Sequence, residues 1–197
     1  MTLKLFGNMV SQPTRAAAWL MTIKKLPYEL QVVRPPNGVT PELLQMNPNG
    51  LVPVIKDGDF SLFEGNAILA YLSEKHKWTD MYPVDVKARA KVNEYLHWHH
   101  SHARQATTHV LRPFLMTMRG KGTPAMEELV HTKDETLGRS VRIMETLLVK
   151  PYIAQSEKPT IADLACYCEF DTIELMDAFD FSKYPKTVAW MKRMKAS

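Results

Sequence analysis

Cysteine is scarce in this chain. The two that occur, Cys166 and Cys168, lie two positions apart in a stretch with helical patterning, where that spacing turns them to different faces and keeps them from bridging. A disulfide framework and a Cys-x-x-Cys redox centre are thereby excluded, leaving two small, partly buried hydrophobes. Long hydrophobic runs are missing as well. No stretch approaches the roughly 18 apolar residues a membrane-spanning helix needs. Met1-Thr2-Leu3-Lys4 leads directly into a strand pattern without a signal-peptide core, so no membrane partner and a cytoplasmic location are expected. A basic block is also lacking: the net charge of +4 comes from 25 Lys and Arg dispersed among 21 Asp and Glu, which argues against a nucleic-acid partner. The histidines His97, His99, His100, His102 and His109 do not form a metal set, because their i, i+3 pairs point along different helix faces and no nearby Cys or Asp completes them. No metal is expected.

The 197 residues suffice for two small cores. The pattern changes near residue 80 from short, proline-punctuated segments to long helical stretches. Leu3 to Phe6 reads as a strand, and Ala16, Ala17, Trp19, Leu20 and Ile23 mark a helical face within Ser11 to Lys25. Pro13 suits that helix's first turn and Pro27 stops it ahead of a strand from Tyr28 to Val33. An irregular segment, 34–48, carries Pro35-Pro36-Asn37-Gly38 and a short helix from about Pro41. Strands Val52 to Lys56 and Phe60 to Phe63 flank the turn Asp57-Gly58-Asp59, and a third helix should run to about His76. Four helices are expected beyond, over 84–118, 124–148, 160–176 and 185–195. Thr160-Ile161-Ala162-Asp163 fits a capping box. The fold class is α/β plus all-α: an α/β domain over 1–76, a linker over 77–84 and an all-helical domain over 85–197.

Three short segments stand where the first domain changes direction: Ser11-Gln12-Pro13-Thr14-Arg15, Val52-Pro53, and Glu64-Gly65-Asn66-Ala67-Ile68-Leu69. Ser11 lies between the first strand and the first helix, where a hydroxyl can donate to an anion held in the positive potential of the helix amino end. Taken alone, Ser before Gln-Pro is more simply a helix cap, Val-Pro a trans bond opening an edge strand, and Glu64 an acid at a helix start.

Together these segments resemble the glutathione transferase superfamily. The run Val10-Ser11-Gln12-Pro13 after Leu3-Lys4-Leu5-Phe6, with Tyr95-Leu96-His97-Trp98-His99-His100 downstream, is most similar to the theta class. The resemblance implies a thioredoxin-like amino-terminal domain and a helical carboxy-terminal domain. It also implies glutathione as co-substrate with no tightly bound cofactor, a small electrophile as second substrate, and a homodimer. Ser11 would activate the sulfur, since Phe6 has no phenol to do so. Leu51, Val52, cis Pro53, Glu64 and Gly65 would bind the tripeptide. Met9, Val10, Trp98, Ser101, Arg104 and Met116 would shape the electrophile pocket, although each also fits ordinary packing and Arg104 also fits a salt bridge.

Two departures stand out. Gly65 replaces the hydroxyl residue usual there, and Gly38, Val39 and Leu51 replace the side chains that hold the glycyl carboxylate, leaving Arg34 or Asn37 as substitutes and Arg15 as added positive potential. The chain also stops soon after the Trp190 helix, without the family's usual carboxy-terminal segment over the site. The leading expectation is a glutathione transferase with possible substrates among apolar electrophiles and peroxides. A non-catalytic interaction module of the same fold and a carrier of apolar ligands stand as alternatives.

Overall fold

The computed structural model describes residues 2–197, so Met1, which opens the first expected domain, lies outside them. The chain divides into two units, Met1–Tyr82 and Pro83–Ser197. In the first, alternate residues of β1 (Leu3–Gly7) are buried, so Leu3 and Leu5 face one side of the sheet and Phe6 the other. Helix α1 (Gln12–Ile23) then returns the chain to β2 (Tyr28–Val32), which pairs parallel to β1. After α2 (Pro41–Met46), β3 (Val54–Asp57) pairs antiparallel to β1, and β4 (Phe60–Phe63) antiparallel to β3. The sheet order is β2-β1-β3-β4, and α3 (Gly65–Lys75) closes the unit.

Leu43 of α2 packs with Val33, Val54 and Phe6. Leu5, Ile55, Ala17, Leu20, Ile68 and Leu72 are also fully shielded. Gly7 is required by packing: a Cβ there would stand 2.6 Å from the side chain of Thr14. Strand β3 begins at Val54 rather than Val52, because Pro53 has no amide to give a ladder. Helix α1 ends in a turn of left-handed backbone at Lys25 (φ 52), with Leu26 N donating to Met21 O, ahead of Pro27. The linker stretch 77–84 begins with the same device after α3, where Lys77 has φ 55 and Trp78 N donates to Ser73 O at 2.8 Å. Lys24 pairs with Asp80 there, and Met81 and Tyr82 are buried.

The second unit is helical throughout, but two of the long helices expected from sequence are broken. Helix α4 (Val86–Ser101) stops where His102 leaves helical angles (φ −131, ψ −81); a π-helical segment, Ala106–Leu111, then runs into α5 (Arg112–Met118). No proline or glycine marks that break; the buried carboxylate of Glu169 does, by drawing in Arg104 and Thr107. Likewise α6 (Pro124–His131) and α7 (Lys133–Leu147) are separated at Thr132, whose ψ of 6 interrupts the 124–148 run.

Helix α8 (Ile161–Leu175) is the core of this unit, buried on nearly every side, and α9 (Pro185–Lys195) lays Trp190, Met191 and Met194 into the interior. Cys166 and Cys168 are free and buried in α8. Burial pushes the Cys166 thiol well up, which keeps it inert.

The capping box at the start of α8 is present and larger than the sequence implies. Thr160 Oγ1 accepts from Ala162 N at 3.3 Å, while Asp163 accepts from Thr160 N and Thr160 Oγ1 on one oxygen and from Ile153 N and Trp190 Nε1 on the other. Burial pushes the Asp163 carboxyl up to about 6, opposed by those four donors. Asp163→Ala strands buried donors from three elements and should cost about 3 kcal/mol or more. Thr160→Ala should cost only about 1 kcal/mol; urea unfolding of both variants checks the order.

Candidate functional site

The amino ends of α1 and α3 meet in the first unit. A Cβ on Gly65, the first residue of α3, would stand 2.6 Å from Pro13 Cβ in the first turn of α1. The two helix starts therefore touch, and each adds positive potential to the same neighbourhood. Ser11 and Glu64 occupy the N-cap positions of the two helices, and neither side chain makes a capping hydrogen bond. The simple helix-cap reading of Ser11 is thus not realised. Its backbone holds the turn instead, Ser11 N donating to Asn8 O at 3.1 Å and Ser11 O accepting from Arg15 N at 3.0 Å. The hydroxyl is left for another partner.

Glu64 is exposed and adopts φ 72, ψ 112, a conformation that costs a non-glycine residue about 1–3 kcal/mol. Such a position persists when the surrounding packing fixes it, here the tight seat of Gly65 against Pro13. The peptide bond between Val52 and Pro53 is cis, the isomer that the resemblance implied. Val52 packs in the cluster around Leu43, and Leu51 is exposed.

Sequence reasoning missed two asparagines that build these loops. Asn8 Nδ2 donates to Val33 O at 2.6 Å and its Oδ1 accepts from Val10 N at 3.1 Å, tying the β1–α1 turn to the end of β2. Asn47, buried at the end of α2, donates from Nδ2 to Leu51 O at 2.9 Å and accepts from Asn49 N and Nδ2. The segment entering Val52-Pro53 is thereby fixed. Asn47-Pro48-Asn49-Gly50 is a turn signature that could have pointed to it. Asn8 had no such signal.

The remaining sequence candidates are dispersed. Met9 and Val10 are exposed at the turn beside Ser11. Arg15 is half-buried in α1. Arg34 and Asn37 are exposed and face each other across the Pro35-Pro36 turn, in an isolated antiparallel bridge.

In the helical unit, Trp98 stacks on His102 at 4.6 Å, Ser101 is exposed, and Met116 is half-buried in α5. Arg104 makes an ion pair: its Nη1 lies 2.6 Å from Oε1 of Glu169, a carboxylate only 1% exposed. Thr107 donates to the other carboxylate oxygen, and Tyr95 OH lies 3.5 Å from the ring of buried His99. Burial, the Arg104 charge and His100 lower the His99 pKa to about 3. Its Nε2 at 3.8 Å from Glu169 is therefore a neutral neighbour, the carboxylate being satisfied by Arg104 and Thr107. Glu169 carried no sequence signal. Among the described residues no group of three or more His, Cys, Asp or Glu side chains is placed to hold a metal ion.

The β2-β1-β3-β4 sheet with its flanking helices is a thioredoxin-like unit, and a second, all-helical unit in the same chain completes the two-domain transferase fold. Residues 1–74 match the family model "Glutathione S-transferase, N-terminal domain", and residues 104–197 match "Glutathione S-transferase, C-terminal domain". The chain belongs to the glutathione S-transferase family. It is 34% identical over 206 residues to human glutathione S-transferase theta-2B, an alignment covering 100% of this chain and 82% of that protein.

Human glutathione transferase theta-2, solved in complex with glutathione and an unknown ligand, superposes with a TM-score of 0.86 at 32% identity over 98% of this chain and 81% of that one. A Pseudomonas fluorescens glutathione S-transferase gives 0.85 at 27% identity over 100% and 96%. The theta-class likeness in the sequence is matched by the two human relatives.

Two outcomes test this geometry. Gly65→Ser drives Cβ into Pro13 and should lower stability by about 1–3 kcal/mol, as chemical denaturation would read. His99 takes up a proton below about pH 6.5 when unfolded but only near pH 3 when folded. Its contribution to stability is full above pH 6.5 and is lost as pH falls toward 3. Between pH 7 and pH 5 that loss is about 2 kcal/mol, and His99→Leu should remove it from the measured pH dependence of unfolding.

Proposed function

We propose that this chain is a theta-like, serine-type glutathione transferase that adds the glutathione thiolate to small electrophiles. The reading is carried by one observation: the Ser11 hydroxyl, at the start of the helix whose Pro13 meets Gly65 of α3, makes no capping bond. An unperturbed thiol of pKa about 8.5 is mostly protonated at neutral pH. Lowering it by two units takes about 2.7 kcal/mol of preference for the anion, within reach of a hydroxyl donor combined with helix-dipole potential.

In this mechanism Ser11 Oγ–H donates to the glutathione sulfur, whose proton is released to solvent. The main chain at Val52 pairs with the cysteinyl unit beside Pro53. Glu64 engages the γ-glutamyl ammonium while the α3 amino end and the Gly65 amide hold its carboxylate. Leu51 borders the glycyl end, with Arg34, Asn37 and Arg15 as the cations and donors nearest in role. The thiolate attacks an electrophilic carbon, forming the C–S bond as a leaving group departs with its electron pair, or adds across an activated double bond that then takes a proton. With a hydroperoxide the same sulfur attacks oxygen, releasing an alcohol, and a second glutathione completes the disulfide with loss of water.

Met9, Val10, Trp98, Ser101, Arg104 and Met116 form the proposed acceptor set, suited by methionine and aromatic surface to varied apolar substrates. A cytoplasmic homodimer acting in detoxification belongs to the same reading. The exposed Leu51 and the missing glycyl-carboxylate cation favour a second reading, an interaction module that has kept the fold without turnover.

Ser11→Ala should raise the pKa of the bound thiol and lower kcat about tenfold or more at neutral pH with folding intact. Ultraviolet absorbance of the thiolate across pH tests it, and an unchanged profile removes Ser11 from the mechanism. Glu64→Ala should raise the glutathione Kd about tenfold. Calorimetric titration of the wild-type protein decides between readings, since absence of binding at millimolar glutathione selects the interaction module.

A further inference from the structure

Glu169 is a carboxylate with no part in the mechanism above, yet two side chains from another stretch of the helical unit reach it. It lies in α8 with 1% of its side chain exposed. Arg104, in the turn after α4, gives Nη1 to Oε1 at 2.6 Å, and Thr107, in the π-helical segment Ala106–Leu111, gives its hydroxyl to Oε2. A wide turn of that kind within a helical path is frequent where side chains are placed for function.

The division of the two oxygens is the informative detail. An arginine and a carboxylate left to themselves favour a fork, with two guanidinium nitrogens on two oxygens. Here Thr107 occupies the second oxygen, so the fork is not completed. Among the described residues Nε and Nη2 of Arg104 make no hydrogen bond, and the side chain keeps 28% exposure. A guanidinium serving only to neutralise Glu169 would spend the fork on it. This one is tethered by a single nitrogen and keeps the N–H donors of the other two.

The charges decide what those donors suit. Glu169 cancels the formal charge of Arg104, and His99, with Nε2 3.8 Å from the same carboxylate, is neutral because burial and the Arg104 charge lower its pKa to about 3. The cluster therefore offers donors without a net positive charge. Such donors favour an uncharged oxygen that gains negative charge as a reaction proceeds, and give an anionic group little of the attraction that a lone arginine would.

We propose that Glu169 is a positioning residue that sets acceptor choice: with Thr107 it holds Arg104 by one nitrogen and cancels its charge, so that the remaining guanidinium donors take an uncharged nitro, carbonyl or epoxide oxygen in preference to a carboxylate or sulfate. The inference rests on the transferase reading, in which Arg104 belongs to the acceptor set. In an aromatic substitution the glutathione thiolate forms the C–S bond, and the electron pair displaced from the ring moves onto a nitro group whose oxygens these donors stabilise. Chloride then leaves with its bonding pair as the ring recovers its electrons.

The test compares 4-chloro-3,5-dinitrobenzamide with 4-chloro-3,5-dinitrobenzoate, acceptors alike in shape and different in charge, on the full chain. Glu169→Gln keeps the shape and an oxygen for Arg104 but removes the carboxylate charge. It should raise the ratio of kcat/KM for the benzoate over the benzamide about tenfold relative to wild type, chiefly by lowering KM for the benzoate. A residue that only supported the fold would lower both and leave the ratio alone. Thr107→Val frees the second oxygen to take another guanidinium nitrogen, and should lower kcat for the benzamide about threefold while the ratio does not rise. An unmoved ratio in Glu169→Gln, or a Thr107→Val enzyme equal to wild type on the benzamide, would overturn the proposal. The wild-type glutathione Kd separates the failures: without glutathione binding the transferase reading falls and this inference with it, whereas glutathione binding with an unmoved ratio removes only the role of Glu169.

Discussion

The contact between Gly65 and Pro13 governs the first unit. Without a side chain at Gly65, α3 begins against the first turn of α1, and two helix amino ends share one small region. The electrostatic consequence is additive, because the unsatisfied amides of each helix contribute partial positive charge over the same short range. The conformational consequence is the backbone of Glu64, held at φ 72 by the requirement that the next residue fit. The absence of a side chain at Gly65 is thus the condition for the close approach of the two helices.

Around that contact the loops are fixed by buried or half-buried amides rather than by apolar packing. Asn8 ties the β1–α1 turn to Val33, and Asn47 ties the end of α2 to Leu51. An asparagine is suited to this because it offers donor and acceptor from one short side chain without introducing a charge. The helical unit uses carboxylates for the same purpose at greater energetic stake. Asp163 gathers amides and an indole from the α8 start, Ile153 and α9, whereas Glu169 draws Arg104 and Thr107 toward α8 and so interrupts the helical path after α4. A buried charge is tolerable only when such donors surround it.

Much of the fold was legible because it follows from local rules. Strand alternation at Leu3 to Phe6, proline at the start of α1, the Asp57-Gly58-Asp59 turn and the Thr160–Asp163 box each act within a few residues, and all appear in the structure. The broken helices were not legible. His102 and Thr132 have no residue type that forbids helix, and at His102 the departure follows from a partner, Glu169, far along the chain. The candidate site shows the same division. Ser11, Pro53 and Glu64 could be picked out by pattern, but Asn8 and Glu169 gave no sign, since an isolated asparagine or glutamate reads as surface until its neighbours are known.

The sequence by itself determined the two-unit plan and the elements with local caps and turns, because periodicity and short motifs are properties of neighbouring residues; the theta-like membership was legible only as a resemblance carried by those motifs. The tertiary structure alone decided that the Ser11 hydroxyl is not spent as a cap and that Gly65 is a packing residue. It also decided that Arg104 is bound to a buried carboxylate. Each of these depends on which distant atoms arrive within about 3 to 4 Å of one another, and that is settled by the packing of whole elements.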